Sequence, residues 1–371
     1  MKIAILTTYF HPEENGLTRY IEGLYSALLK NHPEIVVDVI TFDTLKTGKM
    51  CEEWGKFKIH RVKSWQFLGR TYAIPTPKGF LQLKKIFVQN QYDVINTHTR
   101  FFFSSFLGIW FGKKYAIPVV HTEHGSGFVQ SGNLIVDLMA RIYDQTIGRY
   151  TLASADVVCG TSQSVCNFAR KFGAKKTEAI YNGIGMNFWQ TKTEKEKTKK
   201  TLGIKENDIV LSFVGRLVPS KGCQDLISAL AGEMDFSWKL FIVGDGFYKN
   251  KLMQIIKKKR LEQKIFVLGH KNKKELRDIL QVSDVYVNSS FAAESGPRTL
   301  LEAAASGCKC ISTEIGLASE ILSADAIYKA RDIEKLRERI FYYEKLSVPD
   351  VSRFDWEVIA EKYSELLLVL S

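Results

Sequence analysis

Arg216 and Lys221 stand five residues apart on a loop that runs from the strand-like Phe213-Val214-Gly215 to the helix after Gly222. Two cations so spaced, next to a helix N-terminus, suit a diphosphate. Each side chain donates charge-assisted hydrogen bonds, and the open amides of the first helical turn add to them. The same pair also reads as two solvated cations on an ordinary loop. A second group is Glu294-Ser295-Gly296-Pro297-Arg298-Thr299-Leu300-Leu301-Glu302. Proline suits a first helical position, so a helix starting near Pro297 leaves Glu294 on the preceding loop and Glu302 about a turn and a half inside. The two carboxylates are then stacked along one line rather than paired for acid–base work. Each is an acceptor for vicinal hydroxyls, on a ribose or on a sugar ring. The amides around Gly296 and Arg298 aim at the anion site of the helix start, whereas Pro297 brings no donor. Two glutamates at this spacing also arise by chance.

Other chemistry is absent from the string. No Asp-x-Asp pair occurs to bridge a divalent ion to a diphosphate, so no metal site is expected and the cations and helix dipoles must stabilise the leaving group. No Gly-x-Gly-x-x-Gly opens the chain, which argues against a nicotinamide enzyme. The six cysteines form no Cys-x-x-Cys, and runs such as Val157-Val158-Cys159 read as buried reduced thiols.

The elements that must position these residues alternate. Lys2–Thr7, Ile35–Thr41, Phe57–Val62, Val94–Asn96, Val119–Thr122 and Val157–Cys159 read as strands, Asn15-Gly16 as a loop and Thr18–Lys30 as a helix. Thr191–Lys200 carries no apolar residue and reads as an exposed helix or a flexible connector. The alternation then restarts at Ile209–Val214, Leu240–Val243, Ile265–Leu268, Val285–Val287 and Cys310–Ser312, with helices at Leu226–Leu230 and Lys249–Arg260. Such βαβα order implies an α/β fold with two doubly wound parallel sheets in tandem, whose sites lie at the carboxyl ends of the strands. The expected domains are 1–190 and 191–350, with a final helix in 351–371 crossing back to the first. A length of 371 residues suits two cores.

The ordered set of motifs is similar to the retaining glycosyltransferases of family four. It comprises Phe213-Val214-Gly215-Arg216-Leu217 with Lys221-Gly222, Ile242–Gly246, and the Glu294–Gly307 segment. The first half agrees through His11-Pro12, Asn15-Gly16-Leu17, Asp93–His98 and Tyr181-Asn182-Gly183-Ile184, and the end through Phe354-Asp355-Trp356-Glu357. The resemblance covers nearly the whole chain. It implies the GT-B fold, two Rossmann-like domains facing a cleft, and a metal-independent hexosyltransferase that retains anomeric configuration and needs no cofactor beyond its donor, a UDP- or GDP-sugar. It implies Arg216 and Lys221 on the donor diphosphate, Glu302 on the ribose and Glu294 on the transferred sugar. Gly296, Pro297, Arg298 and Thr299 border the donor, the Gly16 loop closes on the phosphates, and His124 sits beside the sugar. His270 falls where the family contacts the base. His98 reads either as lining the acceptor site or as a structural histidine, and His121 as structural. The chain departs from the pattern at Asn15, where a second glycine is common, at Ser295, and in lacking the glycine-rich turn between Glu320 and Asp332.

Two further readings compete: a catalytically silent sugar-nucleotide-binding subunit, and a sugar-nucleotide epimerase or phosphorylase of the same fold. The net charge of +12 favours anionic partners. No nucleic-acid module is visible, so a glycan or lipid-linked acceptor is expected and no nucleic acid. Arg100–Lys114, apolar with cationic ends, reads either as a core helix or as an interfacial helix on an anionic membrane. With no apolar leader and no spanning stretch, a cytoplasmic protein is expected, at the inner face of the cell membrane where it touches lipid.

Overall fold

The computed structural model describes residues 1–13, 15–67, 72–128, 134–291 and 298–370. The chain divides into two units, Met1–Gly183 with the residues from Trp356 on, and Ile184–Asp355.

In the first unit the strands are β1 (Lys2–Thr7), β2 (Val36–Phe42), β3 (Cys51–Trp54), β4 (Phe57–Val62), β5 (Ser64–Phe67), β6 (Tyr72–Pro75), β7 (Val94–His98), β8 (Val119–Glu123), β9 (Val157–Gly160) and β10 (Thr177–Ala179). Eight form one sheet in the order β10-β9-β8-β7-β1-β2-β4-β3, and β5 and β6 form a separate antiparallel hairpin. Every pair in the large sheet is parallel except β3 on β4. Helices α1 (Gly16–Asn31), α2 (Pro77–Asn90), α3 (Phe103–Tyr115) and α4 (Leu134–Tyr143) lie among these strands in the chain. Successive strand residues point to opposite faces, and both faces are covered, which is why β1 is apolar without alternation. Ile3 and Ile5 join a cluster with Tyr20, Leu24 and Leu28 of α1. Ala4 and Leu6 join one with Phe87 of α2 and Leu107, Ile109 and Phe111 of α3.

The helix α3 decides between the two readings of Arg100–Lys114. Leu107, Ile109 and Phe111 are buried and Arg100 is 4% exposed, so this is a core helix and not an interfacial one. The last helix, Trp356–Leu368, packs on α1, with the Tyr25 and Tyr363 hydroxyls 2.9 Å apart. Its Trp356 ring lies against Gly23 and Gly183, where an added Cβ would come within 2.3 and 2.4 Å of the ring.

The second unit begins at Ile184, earlier than the lysine-rich run suggested. Ile184 pairs with Asp355, Trp189 is buried, and Thr193 hydrogen-bonds the Gln281 side chain, so residues 184–193 already belong to it. The lysine-rich run itself is the helix Lys195–Thr201, carrying Glu194–Lys197 and Glu196–Lys199 pairs at i,i+3. The strands here are β11 (Ile209–Val214), β12 (Trp238–Val243), β13 (Ile265–Gly269), β14 (Val285–Asn288), β15 (Lys309–Thr313) and β16 (Ile327–Tyr328). Their order is β13-β12-β11-β14-β15-β16, all parallel. Of the six free cysteines five are buried, while Cys51 is exposed on the edge strand β3.

Candidate functional site

Both sheets reverse direction of winding beside their first strand. In the first unit the reversal lies between β1 and β7, in the second between β11 and β14. Loops that leave neighbouring strands there run to opposite faces and open a crevice at the carboxyl ends, where open α/β sheets bind ligands.

In the first unit β1 leads to α1. Asn15 is the N-cap of α1, its side chain accepting from the Thr18 amide at 3.0 Å. Asn15-Gly16 is therefore a helix start rather than a free loop, and asparagine in place of a second glycine has a structural reason. A Cβ on Gly16 would meet nothing within 4 Å. The first-turn amides of α1 leave this end suited to an anion.

Strands β7 and β8 end in His98 and Glu123, and His124 follows. His98 is fully buried, with its Nδ1 at 3.3 Å from Nε2 of His124. The Tyr20 ring of α1 meets the His124 ring edge-on at 4.9 Å. Glu123 is also fully buried and holds the loop: its Oε1 accepts from the amides of His124 and Gly125, each at 3.0 Å. His121 donates from Nε2 to Glu123 Oε2 at 3.4 Å and meets Thr97 Oγ1 through Nδ1 at 2.8 Å. The countercharge is Arg100. Its guanidinium lies 3.1 Å from Glu123 and 3.0 Å from Asp144, and it donates to the Gly127 carbonyl at 2.8 Å. Asp144 opens a π-helical turn, Asp144–Gly148, directly after α4. Arg100 thus ties the His124 loop to the end of α4.

These contacts set the charges. Burial pushes the Glu123 carboxyl up, but Arg100 and His121 more than offset it and hold the group well below the usual carboxylate range. Burial, together with the neighbouring Glu123 charge, raises Asp144 despite the opposing pull of Arg100. Burial lowers His124 to about 4, with Glu123 opposing and His121 assisting. Burial, with His124 and His121, takes His98 far down as well. At neutral pH both rings are uncharged, and one of them donates to the other.

In the second unit the loop after β11 carries Arg216, which is exposed, and the short 3-10 turn Pro219–Lys221. Gly222 ends that turn at φ 69°, and a Cβ there would stand 1.9 Å from the Ser289 carbonyl oxygen. The loop after β14 is laced to the same place. Ser289 Oγ donates to the Lys221 carbonyl at 3.3 Å, Ser290 Oγ to the Ser220 carbonyl at 3.3 Å, and the Phe291 amide to Ser220 at 2.9 Å. Glu294, Gly296 and Pro297 lie outside the described residues. The described chain resumes as the helix Arg298–Ala305, in which Glu302 is buried and accepts from Arg298 Nε at 3.2 Å. Thr299 is tied to β14 through the Tyr286 hydroxyl at 2.7 Å. A cavity of about 510 Å³ lies elsewhere in this unit, lined by Lys192, Lys271 and Arg277 among others, and none of the expected donor residues lines it. Its charged walls are largely self-paired, as in Lys271–Glu275 and Arg277–Asp278, so the strand-end loops remain the better site.

The structure gathers Arg216 and Lys221 on one loop beside the loop leading to Arg298, Thr299 and Glu302, and separately brings His98 to His124. Sequence reading missed Tyr20, Arg100, Glu123 and Asp144. The signal for Glu123 was a carboxylate at the end of a strand that opens on Val119-Val120 and is buried throughout, which demands a cation. Nothing in the spacing pointed to Arg100, 23 residues earlier.

Residues 14–188 match Glycosyltransferase Family 4, and residues 194–354 match Glycosyl transferases group 1. The alpha-monoglucosyldiacylglycerol synthase of Streptococcus pneumoniae is 26% identical over 323 residues, covering 84% of this chain and 70% of that one. The UDP-Gal:alpha-D-GlcNAc-diphosphoundecaprenol alpha-1,3-galactosyltransferase of Escherichia coli is 28% identical over 249 residues, 64% of this chain and 62% of that one. Among solved structures, Anabaena HepE in complex with UDP has a TM-score of 0.74 at 20% identity, covering 100% of both chains, a likeness of fold.

Proposed function

The chain belongs to the glycosyltransferases, Family 4 in its first unit and group 1 in its second, and from that premise we propose that it moves a sugar from a nucleotide-diphosphate sugar to a lipid-linked acceptor with retention of configuration. One observation carries the donor side. Arg216 and Lys221 stand on the loop at the winding reversal of the second sheet, laced to the loop that leads to Glu302. A diphosphate leaving group gains charge in the transition state, and two cations there act on rate as well as affinity. The acceptor class is suggested by the two named relatives, one a diacylglycerol-sugar synthase and the other a transferase to a diphosphoundecaprenol sugar.

In this reading Glu302 accepts from the ribose and Glu294 from the sugar. His124 is the neutral N–H partner of the transferred sugar. A neutral ring suits that role, because an imidazolium would oppose the positive charge that develops at the anomeric carbon. His98 acts through His124 as a positioning residue. We favour attack on the face from which the diphosphate leaves, with the acceptor hydroxyl's proton passing to the departing phosphate oxygen. No metal is required in this scheme.

Slow donor hydrolysis tests the donor reading. Incubation with a panel of nucleotide sugars and no acceptor should release a nucleoside diphosphate from one of them, with excess chelator present. Binding without hydrolysis would instead favour the silent subunit. Proton NMR of the first-formed product with acceptor reads the anomer, and inversion would overturn retention.

A further inference from the structure

The helix α4 is built inside out. Its residues Leu134, Ile135, Leu138, Met139 and Ile142 are between 57% and 87% exposed, while its buried residue is the small Ala140. At 100° per residue the five large apolar side chains fill an arc of about 140°, with Ala140 on the opposite side. A core helix turns its leucines and isoleucines inward; this one turns them to solvent. Surface leucines scattered singly need no explanation, but five on consecutive turns form a patch that marks an interaction surface.

The charge around the patch selects the occupant. Arg141 and Arg149 are exposed on the same helical stretch. Lys113 and Lys114 are exposed at the end of α3, where Lys113 Nζ reaches Tyr150 Oη at 3.2 Å and Ser154 Oγ at 3.0 Å. Of the acidic residues in 134–150, Asp137 is half-buried and Asp144 is buried on Arg100. Cations bordering an apolar face match anionic headgroups above acyl chains. A two-fold pairing with a second copy would set these cations against their own images. The hairpin β5–β6 adds Trp65 and Phe67, 53% and 48% exposed, and its Tyr72 ring lies 5.7 Å from that of Tyr143. Tryptophan and tyrosine, with an apolar ring and a polar group, favour the headgroup level.

We propose that α4 lays its apolar face into an anionic lipid bilayer, with Arg141, Arg149, Lys113 and Lys114 at the headgroups. Arg100 joins Asp144, at the end of α4, to Glu123, which holds the His124 loop. Docking by α4 therefore brings the His124 site to the membrane surface. The inference rests on the lipid-acceptor reading for its purpose, but its test uses neither donor nor acceptor.

The full chain is sedimented with phosphatidylcholine vesicles, with and without phosphatidylglycerol, at low and high salt. Binding to the phosphatidylglycerol vesicles, weakened by salt, is expected. The triple variant Leu138→Ser, Met139→Ser, Ile142→Ser alters exposed positions, so its melting temperature should hold while its vesicle partition falls at least roughly tenfold. Arg149→Glu with Lys114→Glu should lower binding to anionic vesicles and reduce its salt dependence. No vesicle binding by the unaltered chain, or equal binding by the triple variant, overturns the proposal. So does a concentration-dependent dimer in light scattering that the triple variant abolishes, which would assign the face to a second copy. Vesicle binding without transfer to any lipid-linked acceptor supports the docking and overturns the acceptor reading alone.

Discussion

Glu302 is buried at the second turn of its helix and already shares its carboxylate with Arg298. A ribose hydroxyl bound there would meet an acceptor held in place. Glu302→Ala is expected to weaken binding of the free nucleoside diphosphate, whereas Glu294→Ala should spare it and cut turnover; calorimetric titration with the nucleotide separates them, and equal losses would refute the split. Arg216→Ala and Lys221→Ala should each lower kcat by about 10²-fold, in the range for one donor aimed at developing charge. His124→Ala should cost a similar factor of roughly 10² and leave the product anomer unchanged. A covalent sugar adduct trapped on His124 or Glu294 would replace same-face attack by a double displacement.

Elements carry the next set of consequences. Gly222 holds φ 69° under the Ser289 carbonyl, so the turn that presents Lys221 fits only a residue without a Cβ. Gly222→Ala should lower the melting temperature and raise KM for the donor together, because the same clash displaces the loop. A loss of stability with KM unchanged would show that the turn and the site are independent. In the first unit Arg100 neutralises two buried carboxylates on different elements. Arg100→Met leaves both without their cation, a change that typically costs about 3–5 kcal/mol. Urea unfolding measures it, and a loss below about 1 kcal/mol would mean that the carboxylates relax to water or take up protons instead.

For the molecule as a whole, pH is the informative variable. His98 and His124 are held below their unfolded value of about 6.5 by burial, His124 to about 4. Between those values the unfolded chain binds more protons than the folded one, so their contribution is fully present above about pH 6.5 and is lost as pH falls toward 4. Unfolding free energies at a series of pH values should decline through that window, and His98→Asn with His124→Asn should flatten the decline. An unchanged slope in the double variant would assign it to other groups.

The family, the α/β class and the loops that bear Arg216, Lys221 and Glu302 were legible in the string, because a buried parallel strand must be a short apolar run and a strand-to-helix loop must follow it. β1 and β11 fall on the residues that their apolar runs mark out, and β4 on the expected Phe57–Val62. Other features were closed to that reading. The division at Gly183, seven residues before the expected one, depends on Ile184 pairing with Asp355, 171 positions away. The character of α3 turned on whether a sheet covers it, which an all-apolar helix cannot disclose. The Arg100 bridge joins three separate elements through side chains whose spacing in sequence has no period. The outward face of α4 has the same apolar pattern as an inward one. Periodicity fixes that a helix has an apolar side, since that follows from 3.6 residues per turn, but only the packing of its neighbours decides whether that side meets the core or the solvent.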